Sequence, residues 1–204
     1  MFVVCLCARF QAAPKELHLK GVKRILRYLK CTPSIGLWYP EGATLELIGH
    51  SNSDYAGCLI NRKTTSGGCQ LLGRSLVSWQ CKNQNSMSLS SAEAEYIAVG
   101  ACCAQILYMK QTILDYGLEL GSVPLLCDNQ STIKIGKNPV QHSRTKHIDI
   151  RHHFLRDHEA KGDILLTDVR SEDQLADIFT KPLDKDTFAR LRNELNVLDA
   201  SNVM

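Results

Sequence analysis

Strand-like segments crowd the first half of this chain and give way abruptly to one long helical pattern. GLWYP (36–40), TLELIGHS (44–51), GGCQLLG (67–73) and SLVSWQC (75–81) read as short strands with turn residues between them. Gly73-Arg74, between the last two, predicts a tight hairpin. The helical pattern then runs from about 90 to 116. Ser90 or Ser91 is its expected N-cap, Glu93 and Glu95 fall in its first turn near the positive end of the dipole, and Gly117 stops it. SVPLLCDNQ (122–130) is a nearly all-apolar strand that runs straight into Asp128-Asn129. A short helix (129–137), a helix over 144–162, a strand DILLTDV (163–169), a helix SEDQLADIFTKPL (171–183) and a final amphipathic helix (184–196) complete the pattern. This order predicts an α/β fold, a mixed sheet with helices on its faces.

Ahead of that block, residues 1–13 form a short apolar run ending at Pro14, which is expected at the first position of a helix. Leu17, Leu19, Val22, Ile25, Leu26 and Leu29 fall at helical spacing, and Thr32-Pro33-Ser34 ends the segment. Lys15, Lys20, Lys23, Arg24, Arg27 and Lys30 face a single acid, Glu16. A solvated helix face and a phosphate-contacting face fit those bases equally.

The chain is 44% hydrophobic and 22% charged, which excludes the disordered class, and its net charge of +3 is too mild to argue for a nucleic-acid partner. Its nine cysteines include no C-x-x-C pair, so small buried thiols in a reducing compartment are expected rather than structural zinc. The opening MFVVCLCARF is too short to span a bilayer and lacks a basic leader, so neither a signal peptide nor a membrane anchor is expected, and a cytoplasmic or nuclear location is. His142, His147, His152, His153 and His158 lack the i, i+4 spacing of H-E-x-x-H and read as hydrogen-bonded or solvated side chains.

Three acids sit where a metal site could be built: Glu95 in the first turn of the long helix, Asp128 at the end of the apolar strand, and Asp177 beside the apolar face of a late helix. Taken singly, each is equally a cap, a solvated strand-end acid or a salt-bridged helix acid, and spacing alone does not join them. The stretch ELIGHSNSDYAGC (46–58) adds Asp54, with Asn52 two residues earlier on the same strand face.

The motifs HLKGVKRILRYLK (18–30), SDYAGCLINRKTTSGGCQLLG (53–73), SWQCKNQNSMSLSSAEAEYIA (78–98), LLCDNQSTIKI (125–135), NPVQHSRTKHIDIRHHFLRD (138–157) and EDQLADIFTKPL (172–183) occur in fixed order across nearly the whole chain. In this they resemble the ribonuclease H domain of copia-type retrotransposon Pol polyproteins. The resemblance implies a ribonuclease H-like fold, a five-stranded mixed sheet flanked by helices and preceded by a helical connection. Residues 1–40 look like the end of the reverse transcriptase and its connection, 41–184 like the ribonuclease H-like domain, and 185–204 like a C-terminal helix and tail. It further implies hydrolysis of the RNA strand of an RNA–DNA hybrid by four acids holding two Mg²⁺ ions, with the upstream reverse transcriptase as a partner. Three of those acids correspond to Glu95, Asp128 and Asp177. At the first, metal-bridging position this chain has Asn52, and His50 stands where a Tyr is usual. An amide brings no charge and offers one oxygen where a carboxylate can bridge two metals. Asp54 lies about 6.6 Å farther along the strand and cannot substitute without a two-residue register slip. The implied activity is therefore impaired here. The alternatives are a catalytically dead nucleic-acid-binding remnant, in which Lys20, Lys23, Arg27, Arg62 and Lys63 contact phosphates, and a non-functional polyprotein fragment.

Overall fold

The computed structural model describes residues 1–58, 62–137 and 149–202. Two helices, α1 (Phe2–Ala8) and α2 (Glu16–Cys31), precede a short strand, β1 (Ile35–Leu37). Then β2 (Leu47–Asp54), β3 (Thr65–Leu72) and β4 (Ser75–Asn83) form an antiparallel meander. Helix α3 (Ser91–Asp115) carries the chain back to β5 (Val123–Cys127), which pairs in parallel with β2. Helices α4 (Gln130–Lys137) and α5 (Asp149–Ala160) lead to β6 (Ile164–Asp168), parallel to β5. Two 3₁₀ turns (Ser171–Asp173 and Leu175–Phe179), α6 (Lys185–Glu194) and β7 (Val197–Asp199) follow. The main sheet has the order β4-β3-β2-β5-β6, the five-stranded mixed sheet that the resemblance implies.

Local chemistry sets the boundaries. The β3–β4 hairpin turns on Gly73 and Arg74, both at positive φ (57° and 69°), the two-residue geometry that matches strand twist. Ser90 caps α3 by accepting a hydrogen bond from the Glu93 N–H at 3.1 Å. At its other end Gly117 takes φ 80°, and the N–H groups of Gly117 and Leu118 return to the Leu114 and Ile113 carbonyls. That pairing is the left-handed stop that glycine favours. Among the described residues α3 is long and apolar enough to cross a bilayer; here its Val99, Cys102, Cys103 and Ile106 are buried in the core.

A separate core lies on each face of the sheet. On one, Tyr96, Val99 and Ile106 of α3 pack with Leu47, Leu125, Leu155 and Leu166. On the other, Cys69, Leu71 and Leu76 are covered by Leu175, Phe179, Leu191 and Leu195. Close approach on this second face depends on Gly67. A Cβ there would lie 2.6 Å from Thr180 Cγ2 and 2.9 Å from the Ala176 carbonyl. Gly67→Ala is expected to cost about 1–3 kcal/mol of stability, read by urea denaturation; a change within about 0.5 kcal/mol would show that the 3₁₀ turn can move aside.

Several expectations are corrected. The strand expected at GLWYP is observed in part as β1, outside the main sheet, but the sequence did not signal its partner β7, with which it forms a two-stranded antiparallel ribbon. The segment 171–183 is not one helix but two 3₁₀ turns, because Gln174 leaves helical geometry (ψ 99°) between them. Pro14 is not the first helical residue, since Lys15 is the N-cap of α2. Of the helix expected over 144–162, the described part begins at Asp149, and His142 and His147 lie outside the described residues. Among the thiols, Cys69, Cys102, Cys103 and Cys127 are buried, whereas Cys31 is exposed.

Candidate functional site

Strand β2 is central in the sheet and its two faces serve different elements. Gly49 faces α3, where an added Cβ would meet Ile106 Cδ1 at 2.6 Å. His50 and Asn52 face the 3₁₀ turn Leu175–Phe179 and its cap. The C-terminal ends of β2 and β5 lie side by side because those strands run in parallel. This brings Asn52 and Asp128 to one end of the sheet, with Glu95 arriving from the first turns of α3 and Asp177 from the 3₁₀ turn.

The four positions form one cluster. Asn52 Nδ2 donates to Asp177 Oδ1. The Ser53 N–H is shared between Asn52 Oδ1 at 2.6 Å and Glu95 Oε1 at 2.9 Å. Glu95, Asp128 and the Cys127 thiol present ligand atoms within 4.8 Å of one another. Glu95 is only 6% exposed, and among the described residues its Oε2 has no hydrogen-bond partner. A buried carboxylate oxygen left unmatched next to a second acid suits a cation. Asp177 differs, because Asn52 occupies one of its oxygens and Lys181 Nζ lies 2.8 Å from the other. The cluster is thus open at its Glu95–Asp128 corner and internally neutralised at its Asp177 corner.

Asp54 lies outside the open corner. It shares the Asn52 face and senses Lys181 and Asp177, and burial raises its carboxyl above the usual range while Lys181 opposes the rise. The arrangement leaves Asn52, not Asp54, against Asp177.

Residues that the sequence did not single out support this cluster. Gln174, fully buried, ties β2 to the 3₁₀ turn. Its Nε2 donates to the Ser51 carbonyl at 3.0 Å, and its Oε1 accepts from the Ala176 N–H at 3.2 Å. Since Oε1 can only accept, His50 Nδ1, 3.2 Å away, must carry its proton there. Burial pulls the His50 imidazole down to about 4, the Gln174 bond partly opposing it, so the ring is neutral. Lys181 was visible as an i, i+4 neighbour of Asp177, and Cys127 as the residue before Asp128. Gln174 had no local signal, because both its β2 partners lie more than a hundred positions away.

The basic residues divide. Lys20 and Arg24 line a cavity of about 590 Å³ between α1, α2 and the end of β2, which also includes Asp54 and Thr65. Lys20 also pairs with Glu16 at 2.9 Å. Lys23 and Arg27 are exposed on α2 away from this cavity. Arg62 is exposed, and Lys63 Nζ donates to the Asn85 carbonyl at 3.2 Å.

The acid cluster carries a pH signature. Burial first, then Asp128 and Asp177, pushes Glu95 up to about 8 from 4.5, against the pull of its Ser53 bonds. A carboxyl raised on folding binds more protons in the native state, so it removes stability as pH climbs from about 4.5 to about 8. His50 acts oppositely, its contribution falling as pH drops from 6.5 toward about 4. Only Glu95 of this pair acts between 6.5 and 8. Glu95→Gln is therefore expected to gain stability over the unsubstituted protein across that window without divalent ions, in paired melts; parallel curves would sink this assignment.

No family model matches the chain. It is 37% identical over 191 residues, 93% of its length, to the retrovirus-related Pol polyprotein from transposon RE1 of Arabidopsis thaliana, of which it spans 13%. It is 34% identical over 181 residues, 89% of its length, to the retrovirus-related Pol polyprotein from transposon TNT 1-94 of Nicotiana tabacum, of which it spans 14%. A solved structure of LC11-RNase H1 in complex with an RNA/DNA hybrid is similar at a TM-score of 0.49 and 11% identity, over 66% of this chain and 94% of that one. With relatives aligned along almost its whole length, and with the sheet order described above, the chain belongs to the copia-type retrotransposon Pol polyprotein family as a ribonuclease H-like segment.

Proposed function

We propose that this segment is the hybrid-cleaving module of such a polyprotein, hydrolysing the RNA strand of an RNA–DNA hybrid with a divalent metal, Mg²⁺ in the family it resembles, and that Asn52 impairs it. The observation that carries the reading is the meeting of Glu95, Asp128, Asp177 and Asn52 at one end of the sheet, with Glu95 Oε2 buried and, among the described residues, unmatched. Glu95 and Asp128 would hold the ion. Bound there, it would supply an activated water and charge stabilisation at the scissile phosphate. The Ser53 N–H orients the Glu95 carboxylate. Asn52 contributes a donor to Asp177 where the family places a second negative charge, and Lys181 pairs with the other Asp177 oxygen. The reverse transcriptase of the same polyprotein is the proposed covalent neighbour, and the cytoplasm or nucleus the proposed setting.

Incubation with a hybrid labelled in its RNA strand, with Mg²⁺, tests the reading. Shortened RNA is expected from the hybrid and not from the same labelled RNA left single-stranded, and Glu95→Gln is expected to abolish it. Absence of cleavage by both the natural chain and Asn52→Asp would overturn the catalytic assignment.

The Lys20–Arg24 cavity beside Asp54 favours a second reading, binding without turnover. Hybrid affinity should then fall steeply with salt, and Lys20→Ala with Arg24→Ala should flatten the slope by about one to two phosphate contacts. Salt-insensitive binding would remove this alternative.

A further inference from the structure

Cys127 ends β5 with its side chain on the α3 face of the sheet, fully buried, next to the open corner of the acid cluster. Its thiol, a Glu95 oxygen and an Asp128 oxygen lie within 4.8 Å of one another. We propose that Glu95, Cys127 and Asp128 form a binding site for a thiophilic divalent ion of the zinc class, with the Cys127 sulfur as a direct ligand. Ligand atoms on one tetrahedral zinc lie about 3.3–3.8 Å apart, so side-chain adjustments of about an ångström gather them. The independent observation is Glu95 Oε2, which among the described residues has no hydrogen-bond partner, on a residue more than nine-tenths buried.

The donor set selects the ion. Mg²⁺ takes oxygen ligands and keeps most of its water, so it would use only Glu95 and Asp128 here. A softer ion gains the sulfur as well. Binding forms metal–sulfur and metal–oxygen bonds, breaks the Cys127 S–H bond and the O–H bond of any protonated Glu95 carboxyl, and releases those protons to solvent. An ion so held competes with Mg²⁺ for both carboxylates, making zinc-class ions inhibitors of the proposed hydrolysis. The site shares two residues with that reading, but it is read by metal–sulfur bonding instead of turnover, so either can fail alone.

Cadmium serves as the probe, because cadmium–thiolate bonds give an ultraviolet charge-transfer band. Cys81, which lies beside Cys5, and the exposed Cys31 offer competing thiols, so the titration uses the full chain carrying Cys31→Ser and Cys81→Ser. One saturable band is expected. Adding Cys127→Ser should remove it with the far-ultraviolet dichroism unchanged. Adding Glu95→Gln should weaken binding by at least the ~10–100-fold that loss of an outer partner costs. No band in the folded protein, or an undiminished band after Cys127→Ser, overturns the proposal. Should the Cys127 variant not fold, Glu95→Gln decides, and an unmoved midpoint overturns it equally.

Discussion

Asn52→Asp is expected to raise Mg²⁺-dependent hydrolysis of an RNA–DNA hybrid by at least about 10²–10³-fold, the range for one preorganised electrostatic group. In the present arrangement the Asn52 amide donates to Asp177, and Lys181 neutralises the other Asp177 oxygen. A carboxylate at position 52 cannot donate, so it repels Asp177 and favours a cation between the two acids. It also faces Glu95 through the shared Ser53 N–H. The same substitution is expected to lower the melting temperature without metal and to enlarge its rise on adding Mg²⁺, since an ion bound only by the folded state adds stability by mass action. Equal hydrolysis rates for the two proteins would sink the claim that Asn52 limits the chemistry. An unaltered metal response of the melt would sink the electrostatic account of it.

The second large effect concerns Gln174. Gln174→Ala removes the bridge between β2 and the 3₁₀ turn and leaves the His50 ring N–H and the Ser51 carbonyl oxygen without that partner in a buried setting. Each stranded group costs about 1–3 kcal/mol, so a fall in melting temperature on the order of 10 °C is expected. Gln174→Leu separates the contributions, because it restores most of the volume and none of the hydrogen bonds. A leucine variant as stable as the natural chain would show that Gln174 acts by packing alone. Both variants free the 3₁₀ turn, and with it Asp177, so the Asn52→Asp gain should shrink in either background.

The sequence made the sheet and the acids legible to different degrees. Strands β2 to β6 announce themselves through local turn residues, such as Gly73-Arg74, and through an apolar run too short for a helix. The strand at β1 was legible but its pairing was not, because its partner β7 lies at the opposite end of the sequence and its three residues have too little alternation to register. In the 171–183 segment the apolar spacing was right but the helix was not, since Gln174 spends its side chain on β2 and its backbone on a break. Glu95, Asp128 and Asp177 could be named one by one from their places in the sequence but joined into one site only through resemblance to a family. What the fold adds is their inequality, the open Glu95–Asp128 corner against the closed Asp177 corner. That inequality arises from Lys181 and Asn52, contacts set by tertiary placement.

The second core has a consequence for how the molecule is put together in time. Its floor, Cys69, Leu71 and Leu76, is synthesised early, while its lid, Leu175, Phe179, Leu191 and Leu195, comes from the last stretch of the chain. Asp177 belongs to that lid. One sheet face therefore waits uncovered until residues 175–195 have been made, and closing it delivers the last corner of the acid cluster in the same movement. Any fragment ending before residue 175 lacks both the cover and the acid, so the site and the second core are gained or lost as a single unit.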